Sequence, residues 1–130
     1  MLAGIGDPRG LDLILETAAE DFSLSVRRAA ARGLGAIQWE RLEASQRQPA
    51  QVQSRDTLLE IVKNDSEWVV RYAAIVGLQG VANALTEEGS VDLISPILEG
   101  LQHLVAADVA LAVKARADWA ISQLSESSPS

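Results

Sequence analysis

Three cations recur at one register in this chain: Arg27, Arg71 and Lys114 each follow a valine, and each lies six residues beyond an aspartate, Asp21, Asp65 and Asp108. Such a row can hold the carboxylates of a ligand. Alternatively, each cation can pair with the aspartate of an adjacent copy, giving a ladder that fixes how the copies are oriented. The ladder is the favoured reading, because a repeated unit repeats its own pairing. Asp21 and Asp65 also read as N-caps of the helices that follow them; Asp108 sits inside an apolar run, where a cap is less clearly marked. A second set of residues shares a helical face. Trp68, Tyr72, Ile75 and Gln79 are matched by Leu24, Arg28 and Ala31 before them and by Leu111, Ala115 and Asp118 after them. Side by side these form a lane that offers ring stacking from Trp68 and Tyr72, a cation from Arg28 and a carboxylate from Asp118. The competing reading is that Trp68 and Tyr72 pack between neighbouring helices, where aromatic residues at this spacing usually belong.

The rest of the catalytic alphabet is sparse. The chain has no cysteine and one histidine, His103, so disulfides, thiolate metal sites, a cysteine nucleophile and a paired-histidine zinc site are all excluded. His103, beside Gln102 and without acidic neighbours, is read on a solvated flank, and no metal site is expected. Glu16, Glu20, Glu40, Glu43, Glu87 and Glu88 are scattered and read as surface charge. There is no Gly-rich phosphate loop, nucleophile elbow or HExxH motif. Catalysis by such a chain has to come from holding reactants together.

These residues sit on repeated elements. Segments Asp21–Ile37, Asp65–Val81 and Asp108–Leu124 align without gaps, their aspartates 44 and 43 residues apart. Counting from Val26, Val70 and Val113, offsets 0, 4, 7, 8 and 11 carry small or apolar residues, which is one stripe of an α-helix. A shorter apolar stripe precedes each copy: Leu11, Ile14, Leu15 and Ala18 after Asp7-Pro8 as N-cap and first helical residue; Leu58, Ile61 and Val62; and Ile94, Ile97, Leu98, Leu101 and Val105, with Pro96 in the first turn. The unit is a helical hairpin, and the absence of sustained two-residue alternation makes the chain all-α. Gln46–Ser54, glutamine-rich and containing Pro49, reads as the loop between copies one and two. Leu2–Ile5 reads as the end of a preceding helix, which leaves the N-terminal edge of the stack exposed or covered by a partner.

The chain's 130 residues suit one domain with a modest core. Hydrophobic residues make up 48% and charged residues 22%, too apolar for disorder and too interrupted for a bilayer. The formal charge of −7 repels phosphate backbones and anionic lipid surfaces, so neither nucleic acid nor membrane is an expected partner. The first residues lack the pattern of a signal peptide or a transmembrane span, and a cytoplasmic setting is expected. Residues 125–130, SESSPS, read as a disordered tail.

An aspartate ahead of Val-Arg and then alanines, as in the run from Asp65 through Trp68-Val69-Val70-Arg71-Tyr72-Ala73-Ala74 to Leu78, resembles HEAT-like repeats. More narrowly, the chain resembles the phycobilin lyase family, whose links between successive repeats are similar to Ile5-Gly6-Asp7-Pro8-Arg9. The resemblance runs from about residue 2 to residue 124. The third copy departs from it at Arg116, where the others have Ala29 and Ala73. The resemblance implies an all-α, HEAT-like α-solenoid of about three helical hairpins, one domain over residues 1–124 with repeats at about 7–37, 55–82 and 91–124. It also implies a subunit, usually of a heterodimer, that attaches or removes a linear tetrapyrrole at a cysteine of a phycobiliprotein. Expected partners are therefore a phycobiliprotein subunit and a second lyase subunit, with the phycobilin as substrate and no tightly bound cofactor. Trp68 and Tyr72 would stack on the bilin rings, Arg28 would meet a propionate and Asp118 the pyrrole N–H groups. The cysteine–histidine bilin isomerisation of some members is not carried over, since this chain has no cysteine. The alternative is a non-catalytic HEAT-like interaction module, phycobilisome-associated, that binds protein through the same lane.

Overall fold

The computed structural model describes residues 8–127. Six helices follow in order: α1 (Pro8–Glu20), α2 (Leu24–Leu34), α3 (Ala44–Asn64), α4 (Trp68–Glu87), α5 (Ser95–Ala107) and α6 (Leu111–Ser127). Short 3-10 turns occupy Trp39–Arg41 and Val91–Ile94, and no strand occurs among the described residues. The helices pair as hairpins, α1 with α2, α3 with α4 and α5 with α6. The hairpins stack so that α1, α3 and α5 form one layer and α2, α4 and α6 the other. This is the all-α stack of three hairpins that the periodicity predicts. The readings placed on Leu2–Ile5, on the joint around Gly6 and on Asp7 as a cap fall outside the described residues.

The recurring aspartate builds each hairpin's turn. Asp21, Asp65 and Asp108 accept hydrogen bonds from the backbone N–H two residues on: Ser23 at 2.9 Å, Glu67 at 2.9 Å and Ala110 at 2.8 Å. These are Asx turns, so the N-cap expectation for Asp21 and Asp65 is corrected. The caps are Ser23 and Glu67, whose side chains make no cap bond. The reason is positional: α2 and α4 begin three residues past the aspartate, out of reach of its carboxylate. Asp108, the least obvious cap in sequence, makes the same turn as the other two. Gly89, at φ 77°, ends α4, with Ser90 N–H donating to Leu85 O at 2.9 Å and Gly89 N–H to Thr86 O at 3.1 Å. That left-handed closure favours glycine.

The stripe through Val70, Ala74, Gly77, Leu78 and Val81 is wholly buried, because α4 is covered on three sides by α2, α3 and α6. Small residues let the second layer close. A Cβ on Gly77 would overlap the Ala31 carbonyl oxygen, and one on Gly80 the Gly35 carbonyl oxygen. In copy one the matching stripe lies at the edge of the described hairpins. Val26 is 43% exposed and a Cβ on Gly33 would meet nothing within 4 Å; with Ile14, Thr17, Ala30 and Ile37 these residues line an apolar groove of about 320 Å³. α4 is apolar and long enough to cross a membrane by composition, but 56% of its apolar window is buried, as expected of a central core helix.

Two expectations fail. Gln46–Ser54 is not a loop: it is helical, the first half of α3. Gln, Arg and Ala are good helix formers, and the inward face is Ala50, Gln51 and Ser54, two of them polar, so no apolar stripe announces it. Gln51 is satisfied by donating to the Glu88 carboxylate. Pro49 is accommodated early in the helix, where the carbonyl it leaves without a donor, that of Ser45, lies in an exposed first turn. Nor do residues 125–127 belong to a disordered tail, since α6 runs through Ser127.

Candidate functional site

The Arg–Asp row is a ladder between hairpins. Arg27 Nε donates to Asp65 Oδ2 at 2.9 Å and Nη2 to Asp65 Oδ1 at 3.3 Å, while Nη1 donates to the Asp21 carbonyl at 2.7 Å. Arg71 repeats the pattern on Asp108, at 2.9 and 3.0 Å, with Nη1 on the Asp65 carbonyl at 2.9 Å. Both pairs are bidentate and largely buried, so their arginines are committed to structure. The paired Asp65 carboxylate holds the Arg27 guanidinium above its usual pKa. Burial works to raise the Asp108 pKa, but Arg71, the Ala110 N–H and the charge of Lys114 outweigh it and leave the carboxyl below its usual range. The Lys114 side chain makes no hydrogen bond or ion pair among the described residues. Beside the second rung, exposed His103 lines a shallow pocket of about 240 Å³ with Lys63 and Val109. Among the described residues no group of three or more His, Cys, Asp or Glu is placed to hold a metal.

The lane across α2, α4 and α6 is divided. Ala31 and Ile75 are fully buried core residues. Leu24, Leu111, Ala115, Arg28 and Asp118 are exposed. Trp68, 47% exposed, sets its ring edge-on to half-buried Tyr72, centroids 6.4 Å apart and planes at 83°. No hydrogen bond, ion pair or ring contact among the described residues joins Arg28 or Asp118 to that aromatic pair.

Sequence reasoning passed over a second group on the same layer. Arg116 lies 4.5 Å from the centre of the Trp119 ring, and its Nη2 donates to Gln79 Oε1 at 2.8 Å. Its Nη1 is shielded from solvent and makes no hydrogen bond. Burial pushes the Arg116 pKa down; nearby Tyr72 opposes this and the positive charge of Arg32 adds to it. Trp119 is 50% exposed. The signal available beforehand was Arg116 itself, the one break in an alanine register.

The chain matches the family model for HEAT repeats over residues 1–79. It is 48% identical to a phycocyanobilin lyase subunit beta of Nostoc sp. strain PCC 7120, over 94% of this chain and 58% of that protein. Against the phycocyanin alpha phycocyanobilin lyase CpcF of Synechocystis sp. strain PCC 6803 it is 40% identical, over 94% of this chain and 54% of the relative. A phycobilisome maturation protein of Synechococcus elongatus is 48% identical, over 88% and 53%. The chain thus spans a little over half the length of these relatives. Among solved structures, the complex of CpcE and CpcF of phycocyanin lyase from Nostoc sp. PCC7120 contains a chain that superposes with a TM-score of 0.77 at 46% identity, covering 88% of this chain and 64% of that one. The repeats in the sequence, the stacked hairpins and the matched family model agree: this chain belongs to the HEAT-repeat family and within it resembles the phycobilin lyase subunits.

Proposed function

We propose that this chain acts in phycobilin attachment or removal as one subunit of a bilin lyase, working in the cytoplasm with a second lyase subunit on a phycobiliprotein. The observation that carries the reading is identity of 40–48% to lyase subunits spread over 94% of the chain, so the layer bearing Trp68 and Tyr72 is part of what is shared. The chemistry is compatible with the chain's inventory. Adding a thiol across a conjugated double bond forms one C–S bond and moves the thiol proton to carbon, with no leaving group and no oxidant. With the nucleophile supplied by the phycobiliprotein cysteine, the chain's task is to bind the tetrapyrrole and orient it. Half-exposed Trp68 with Tyr72 provides apolar ring surface for stacking, while exposed Arg28 and Asp118 flank the same layer.

The test is an absorption and fluorescence titration of the chain with phycocyanobilin and phycoerythrobilin, alone and with the second lyase subunit. Saturable binding with a spectral shift supports the reading, as does its loss in folded Trp68→Ala and Tyr72→Ala. Absence of binding under both conditions would favour a HEAT-like protein-binding module instead. Retained binding in both variants removes Trp68 and Tyr72 from the site.

A further inference from the structure

We infer that Arg116, flanked by Arg32, Tyr72 and Trp119, is the receptor for a carboxylate borne by a planar conjugated ligand; resting on the bilin reading above, that group is a propionate. Arg116 lacks the anionic partner that the ladder arginines have. Arg27 and Arg71 each hold an aspartate in bidentate geometry, and Arg47 donates to the Trp39 and Leu42 carbonyls at 3.0 and 3.2 Å. Arg116 has the neutral Gln79 oxygen and the neighbouring Tyr72 hydroxyl but no carboxylate, and no ion pair among the described residues includes it. A shielded guanidinium N–H without an acceptor is costly to leave unmatched and in folded proteins usually marks an ordered water or ion. An anion supplies both the acceptor and the missing charge.

Stacking of the repeats does not explain the arginine. At the same register the other two copies use Ala29 and Ala73, and α2 packs on α4 with alanine there. Arg32 adds a second positive charge close enough to act on Arg116, an arrangement that is unfavourable until an anion sits between or beside them. The surroundings select the anion's carrier. Trp119 stacks on the guanidinium, Tyr72 lies beside it, and Trp68 extends the aromatic surface from Tyr72 along α4. A small hydrated anion gains nothing from three rings, whereas a conjugated plane with a carboxylate arm uses both parts of the site. The half-exposed Trp119 indole covers the guanidinium, so the ligand shifts it on entry and tryptophan fluorescence reports the event.

The experiment titrates the 130-residue chain with phycocyanobilin and with its dimethyl ester, in which both propionates are neutral, and repeats both titrations on Arg116→Gln and Arg116→Lys, with circular dichroism as the check on folding. Loss of a charge-assisted carboxylate contact corresponds to about 10- to 100-fold in affinity. The wild type is expected to prefer the free acid by that factor, Arg116→Gln to bind acid and ester alike, and Arg116→Lys to keep part of the preference. A free-acid preference undiminished in Arg116→Gln overturns the assignment. Equal wild-type affinity for acid and ester overturns the carboxylate site and leaves bilin binding standing. Failure of the wild type to bind either compound, alone and with the second lyase subunit, overturns both.

Discussion

Gly33 and Gly77 occupy the same repeat position, yet alanine should move stability in opposite directions at the two. At Gly33 a Cβ meets nothing within 4 Å. The substitution therefore returns part of the roughly 1 kcal/mol by which alanine exceeds glycine in a helix, about 0.5 kcal/mol this near the end of α2. At Gly77 the Cβ overlaps the Ala31 carbonyl oxygen and lies 3.1 Å from both Leu58 methyl carbons. A backbone oxygen in the neighbouring helix yields only if α2 and α4 separate. Overpacking of that kind costs about 1–3 kcal/mol, and the steric overlap with backbone puts it at the upper end, so about 2 kcal/mol remains after the helix-propensity gain. Unfolding entropy of about 2.1 cal/mol/K per residue makes 1 kcal/mol worth about 4 °C in a chain of this size. Gly33→Ala should raise Tm by about 2 °C and Gly77→Ala lower it by about 8 °C, followed by far-ultraviolet circular dichroism with urea unfolding as the second measure. A shift of the same sign in both variants would refute the idea that close approach of the second-layer helices dictates glycine at position 77.

Other perturbations read other parts of the structure. Asp108→Asn should cost about 2–4 kcal/mol at neutral pH by leaving Arg71 largely buried without its carboxylate. Because the folded Asp108 pKa lies below its unfolded value of about 3.9, its contribution is complete above that value and lost as pH falls through the folded one. Acid titration of unfolding should accordingly be shallower below about pH 4 in Asp108→Asn than in the wild type, and identical slopes would contradict the pairing. Pro49→Ala should stabilise by about 1 kcal/mol, the recovered helix bond being partly offset by a freer unfolded chain; a urea midpoint at or below that of the wild type would count against the helical assignment of residues 46–54. Trp68→Ala should leave Tm within about 2 °C of the wild type, since the ring is half exposed, while abolishing the bilin-induced spectral shift. A large thermal loss would instead make Trp68 a packing residue.

The second helices were legible because their register is written three times over: Val70, Ala74, Gly77 and Leu78 each have a counterpart in the other copies, and burial follows the stripe. Copy one keeps the pattern while, among the described residues, Val26 and the space beside Gly33 stay open, because periodicity records which face wants cover and not whether a neighbour supplies it. The start of α3 was illegible for a different reason. Its inward positions are Ala50, Gln51 and Ser54, and Gln51 is tolerable there only because Glu88, 37 residues on, accepts its hydrogen bond. No local pattern encodes that partner. The pairing of Arg27 with Asp65 could be anticipated from recurrence, but the second use of each aspartate, as builder of its own turn, needed coordinates. Helical spacing alone puts Ala31 and Asp118 at one position of the lane. Their burial separates them, and the interest shifts to Arg116, whose surroundings come from α2 and α4 as well as its own helix.

The double use of the aspartates has a consequence for how the chain melts. Asp65 closes the turn between α3 and α4 with one side-chain bond and grips Arg27 of the preceding hairpin with others; Asp108 does the same for α5, α6 and Arg71. Opening a turn therefore loosens the hairpin before it, and undocking a hairpin loosens the turn after it. In a linear array this nearest-neighbour coupling suppresses fraying from one end and favours a single cooperative transition. Amide exchange should then show α2 and α4 opening together, with the protection of α2 reporting on a carboxylate 38 residues away.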